Sequence, residues 1–179
     1  MLCLCLLTGL CHAQANEAYF DASTIRAADL PKNPPTFSDY SVPVFVGELA
    51  EPDVKSHPRS RLFRSKIREG AKRGPNFAGH YTIVGWGCGS SCGSLAIVDA
   101  TTGQVFHPKN LDAIDNINVD YDALEGSDES LIKYRPDSRL LVIIGGINED
   151  PKLRGISYFV WEHDKLRRVR FVHKPFEVK

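Results

Sequence analysis

Five of the seven residues from Gly87 to Gly93 (GCGSSCG) are glycine or cysteine, and the apolar runs flanking them, 80–86 and 94–99, alternate and branch like β-strands. Two such runs around a short glycine-rich connection confine the chain to a hairpin here. Ala100-Thr101-Thr102-Gly103 reads as the next turn, and 104–107 as a returning strand. Further strands are expected at 131–134, 140–144, 156–161 and 166–172. They are parted by Pro136-Asp137-Ser138, by 145–155 and by Glu162-His163-Asp164-Lys165. Short consecutive strands joined by turns predict an antiparallel meander. The repeated strand, polar turn, strand layout is also that of propeller blades, although one domain length leaves room for few of them.

Upstream, the spacing predicts one amphipathic helix over 57–72. Ser56 can cap it, Pro58 suits its first turn, and Leu62, Phe63, Ile67 and Ala71 line one side at helical spacing. Gly74-Pro75 stops it, and its basic residues are left to the outer face. Residues 41–46 read as a short strand, with Pro43 marking an edge. Pro31, Pro34 and Pro35 leave 16–40 as an irregular N-terminal segment on the surface, and 112–129, acidic and without periodicity, reads as a surface loop. The expected architecture is α+β: a single domain over 16–179, mostly antiparallel β meander, with one helix packed on it.

Residues 1–15 read as a signal peptide. Met1 to Leu10 is an uncharged apolar run, and Ala13-Gln14-Ala15 supplies a small-x-small cleavage pattern. The run is shorter than the roughly 20 apolar residues that span a bilayer, so no stable membrane insertion is expected after cleavage. Cys3, Cys5 and Cys11 would leave with the leader, and Cys88 and Cys92 would remain as a pair. In an exported chain an even pair reads first as a disulfide, here closing a loop worth only about 2 kcal/mol. Twenty-two basic residues balance twenty-two acidic ones, which gives no support to a nucleic-acid or general membrane-surface role. The charge is nevertheless segregated: 55–73 and 165–174 are basic, and 112–129 is acidic.

Asn76, His80, Tyr81 and Trp86 are the candidate functional or loop-organising residues. Asn76 and His80 are expected to hydrogen-bond the glycine loop, because buried polar side chains usually serve backbone groups. Other chemistries carry weaker patterns. Cys88 and Cys92 as thiolates, with His80, His163 or His173, would form a redox or copper site. Cys88 with His80 would be a nucleophile and base, which a disulfide abolishes. Ser91 stands in a G-x-S-x-G pattern but precedes a strand where a nucleophile elbow needs a helix. Asn118, Asp120, Asp122 and Glu129 match calcium-loop positions, although Ala123 and Glu125 break that pattern. Trp86, Tyr158, Phe159 and Trp161 are expected in the core. No cofactor or resident metal is expected.

The run Gly74-Pro75-Asn76-Phe77-Ala78-Gly79-His80-Tyr81 is followed by Trp86-Gly87-Cys88-Gly89, Cys92, Ile97-Val98-Asp99 and Thr102-Gly103. Together they resemble the NFAGHY…WGCGxxC signature of a family of small exported bacterial proteins. The likeness extends more loosely to Pro136-Asp137-Ser138-Arg139-Leu140-Leu141 and Tyr158-Phe159-Val160-Trp161. It implies an envelope or secreted location in a Gram-negative bacterium and carries over no catalytic residue. The expected function is a non-enzymatic periplasmic binding, interaction or inhibitor-type module, built around a disulfide-stapled glycine loop and met by an envelope protein partner. The alternative is a thiol-dependent redox or copper-handling protein using Cys88, Cys92 and a histidine.

Overall fold

The computed structural model describes residues 20–120 and 132–176. The expected leader, with Cys3, Cys5 and Cys11, lies outside them, as do Asp122 and Glu129.

Among the described residues eight strands form one antiparallel sheet: β1 (Tyr81–Gly89), β2 (Cys92–Asp99), β3 (Val105–Phe106), β4 (Ile114–Asp115), β5 (Ile132–Arg135), β6 (Ser138–Ile147), β7 (Asp150–Glu162) and β8 (Lys165–His173). The order is β1-β2-β4-β6-β7-β8, with β3 beside β2 and β5 beside β6. The antiparallel expectation holds, and the sheet is open. Its two halves meet through β4, where Ile114 pairs with Gly93 on one side and Ile147 on the other. Joined only there among the described residues, the halves close on each other, so that Ile83, Leu95 and Ile97 share a core with Leu141, Ile143 and Phe159.

Both outer faces are covered as well. Ile67 and Ala71 of the helical layer pack on Val84, Ala96 and Val98. On the other half, Ile25 and the flanking Phe37 and Tyr40 cover Leu140, Val142 and Val160. Burial on two faces is why β6 and β7 read as unbroken apolar runs where a half-exposed strand would alternate. The described part of the N-terminal segment is irregular and lies along the surface, anchored where Ile25 is fully buried and bridges Val119 in parallel.

The expected single helix is two, α1 (Pro58–Leu62) and α2 (Arg64–Ala71), broken at Phe63 with φ −101° and ψ 20°. The break turns Phe63 inward to stack on Trp86 at 4.4 Å, and it leaves Leu62, expected on the buried side, 73% exposed. The cap is His57, whose Nδ1 accepts the Arg59 N–H at 3.2 Å; Ser56 is held instead by Asp53. Residues 41–46 form a strap and not a strand, pairing with the sheet where Ser41 bridges Ser138. Pro43 has no N–H to donate there, and the Phe45 N–H reaches the Gly79 carbonyl at 2.9 Å. β4, hidden inside the acidic loop, is too short for any periodicity to reveal.

Candidate functional site

Cys88 and Cys92 are joined in a disulfide at the tip of the β1–β2 hairpin, with Cα atoms 5.2 Å apart. The register slips between Gly87 and Gly89, and Ser91 takes a positive φ of 54° to close the turn. Residues 87–91 are all exposed. Their base is clamped: Cys92 pairs with Asp115 in β4, and the Asn116 N–H reaches the Ser91 carbonyl at 3.3 Å. A cleft of about 170 Å³ lies beside the tip, walled by Ser90, Ser91, Glu149 and the half-exposed Ile117. Arg59 of α1 braces the same region, bonding the Ser94 hydroxyl and the Asp112 carbonyl and pairing with the Asp112 carboxylate. Strand β2 follows Ser91 directly, so the helix of a nucleophile elbow has no counterpart here.

Asn76 does not touch the glycine loop. Its side chain accepts the Ile83 N–H at 2.7 Å and donates to the Ile83 carbonyl at 3.1 Å, replacing a strand neighbour in mid-β1. His80 precedes the opposite end of β1, a separation of roughly 25 Å from Cys88 at about 3.3 Å per residue. It therefore cannot act as base for Cys88 or join the two sulfurs around copper. His80 stacks on Tyr81 at 4.2 Å, with Nε2 3.9 Å from the Asp99 carboxylate. His163 lines the same cavity as His80. Trp86 belongs to the helical layer, between Phe63 and the Arg59 guanidinium at 5.9 Å. Tyr158, Phe159 and Trp161 are buried, as the core expectation required.

The calcium pattern is not assembled among the described residues. Asn118 donates its amide to Ser23 at 3.0 Å, and Asp120 lies 3.5 Å from Arg26; Asp122 and Glu129 are outside. No group of three or more His, Cys, Asp or Glu converges among the described residues.

Tyr81, Asp99 and His107 are among the ionisable groups shifted from their ordinary values. Burial pushes the Tyr81 hydroxyl up to about 12, opposed by the Trp161 N–H beside it and reinforced by Asp164, which accepts its proton at 2.8 Å. Burial works against the Asp99 carboxylate, but bonds from the Thr101 hydroxyl and N–H outweigh it and hold the group below its usual range. His107 is pushed down to about 4, by burial first and by His57 and Arg59 after it. His107 Nε2 sits 2.8 Å from Ser60 Oγ, the spacing of a nucleophile and base. Ser60 is fully buried, however, and His107 Nδ1 meets no acceptor to orient the ring. No substrate reaches that serine, and the pair is a neutral packing contact. Sequence reasoning passed over this cluster because its members come from the helical layer and from the residue that follows a two-residue strand.

It also passed over Arg154, fully buried with its guanidinium on the carbonyls of Ile117, Asn118 and Lys174 at 2.7–3.0 Å. A lone arginine in an apolar strand was the available signal. Comparison of the chain with protein-family models, with curated proteins and with solved structures finds no match.

Proposed function

We propose that this chain is a non-enzymatic exported binding protein that recognises an acidic envelope protein through its stapled hairpin tip. One observation carries the reading: residues 87–91 are exposed while the disulfide and β4 hold their backbone. A loop already ordered loses little conformational freedom on binding, which is what a recognition loop needs. The disulfide suits an oxidising compartment and leaves neither sulfur as a thiolate.

The partner's acidity is inferred from the neighbouring helical layer. Arg61, Arg64, Lys66, Arg68, Lys72 and Arg73 are exposed there, with Glu69 the one acid among them. None of the six is in an ion pair among the described residues. Such a face steers acidic surfaces and raises association rates.

Intact mass of the exported protein, alkylated before and after reduction, tests the closed state. Affinity capture from envelope extract then compares the wild type with Ser90→Arg and with Lys66→Glu/Arg68→Glu. A protein retained by the wild type and lost with both variants, each still folded by circular dichroism, supports the reading. Free thiols in the exported protein, or identical capture by all three, refutes it.

A further inference from the structure

At the opposite end of β1 the inner core opens into a cavity of about 450 Å³. Arg139 lies two residues before Leu141 on β6, so strand alternation turns it toward the inner core that Leu141 and Ile143 build. It is a cation at the mouth of an apolar layer. Tyr81 and Trp161 stand edge to face at 5.2 Å in the same wall, and Val42 and Pro43 of the strap close one side.

Arg139 Nε is buried and meets no acceptor, and the Trp161 N–H, in a residue only 2% exposed, has just the Tyr81 hydroxyl beside it, poorly aligned for a hydrogen bond. Buried N–H groups are almost always paired, so a donor left over in this wall points to an acceptor supplied from outside. The carboxylates nearby are already engaged: Asp164 takes the Tyr81 proton, Glu162 is held by Arg167, and Asp99 by Thr101. Ala78 in the cavity wall has a positive φ of 47° without being glycine, and His163 and Asp164, at 50° and 58°, form the two-residue turn of the β7–β8 hairpin at its rim.

We propose that this cavity binds a monocarboxylate carrying a flat apolar body, its oxygens on Arg139 and the Trp161 N–H and its body against Tyr81 and His80. The carboxylate is a planar pair of acceptors, which suits a guanidinium fork. Glu162 and Asp164 in the wall disfavour a doubly charged phosphate. A free small acid and the C-terminus of a peptide present the same chemistry. The site lies at the far end of β1 from the hairpin tip, and loss of tip recognition leaves it untouched.

The test uses the isotope-labelled oxidised protein and follows the Trp161 indole N–H resonance, assigned by its persistence in Trp86→Phe. Phenylacetate, phenylacetamide, phenyl phosphate and a tripeptide ending in phenylalanine, with free or amidated C-terminus, are titrated in turn. The expected result is saturable shifting of that resonance by phenylacetate or by the free-ended peptide, whichever source applies. Both amides should bind at least about tenfold more weakly. Arg139→Gln should lose about tenfold or more in affinity, and Arg139→Lys, which keeps charge without the fork, should fall between. If Arg139→Gln does not fold, the Lys variant and the amide arms still decide. No saturable shift with either carboxylate, an amide binding equally well, phenyl phosphate binding more tightly, or Arg139→Lys matching wild type would each overturn the proposal.

Discussion

Removing the staple by the double change Cys88→Ser/Cys92→Ser separates a local role for the disulfide from a global one. The ring spans five residues, from Cys88 to Cys92. Loop-closure entropy for so short a ring comes to about 2 kcal/mol, gained by restricting the unfolded chain. In a domain of this size each kcal/mol shifts Tm by roughly 2–4 °C, so the midpoint should fall by about 4–8 °C. The native fold should survive, because β1 and β2 remain paired from Tyr81↔Asp99 to Gly87↔Gly93 without the sulfurs. Thermal unfolding by circular dichroism measures the shift, and amide hydrogen exchange shows where it acts. Protection should drop at 87–93 and at its β4 neighbours, with β6 and β7 unchanged. A loss above about 5 kcal/mol, or weakened protection in β6 and β7, would refute the reasoning and make the bond a determinant of the whole fold.

Gly155 has φ +145°, and a Cβ there would overlap the Val172 carbonyl oxygen of β8. Gly155→Ala should therefore cost about 3–5 kcal/mol from backbone strain and overpacking together, read from urea denaturation. Gly85→Ala, whose Cβ meets nothing closer than the Ser94 carbonyl at 3.8 Å, should be within about 0.5 kcal/mol of wild type; similar losses for the two would contradict this account. The third prediction concerns pH. His107 falls to about 4 in the folded chain from 6.5, so the unfolded chain takes up its proton first as pH drops. The stabilisation is complete above pH 6.5 and lost progressively as pH falls toward 4. The full shift corresponds to about 3 kcal/mol, which partial solvent access reduces to about 1–2 kcal/mol. His107→Gln, able to keep a bond to Ser60, should lose correspondingly less stability than wild type between pH 7 and pH 4. Parallel pH profiles for the two proteins would refute this assignment.

Much of the secondary structure was legible because it rests on local patterns. The hairpin around Gly87–Gly93, the strands after Pro136-Asp137-Ser138 and the cysteine pair all follow from spacing within about ten residues. The helix was legible in outline but not at Phe63, because its break is enforced by stacking on Trp86 from another element. Of the candidate residues, His80 and Tyr81 were read as organisers of the glycine loop, but they line a cavity at the other end of β1, a distance from Cys88 that only the extended strand sets.

Alternation and composition alone determined that the chain makes paired antiparallel strands with a short cysteine-closed turn, since side-chain periodicity and turn chemistry act between near neighbours. The tertiary structure alone decided that both faces of the sheet are covered, that two residues of an acidic loop join its halves, and that Arg139, Tyr81 and Trp161 line one cavity. Those outcomes depend on pairings between distant segments, whose free energy comes from burying surfaces that no single segment displays in its own pattern.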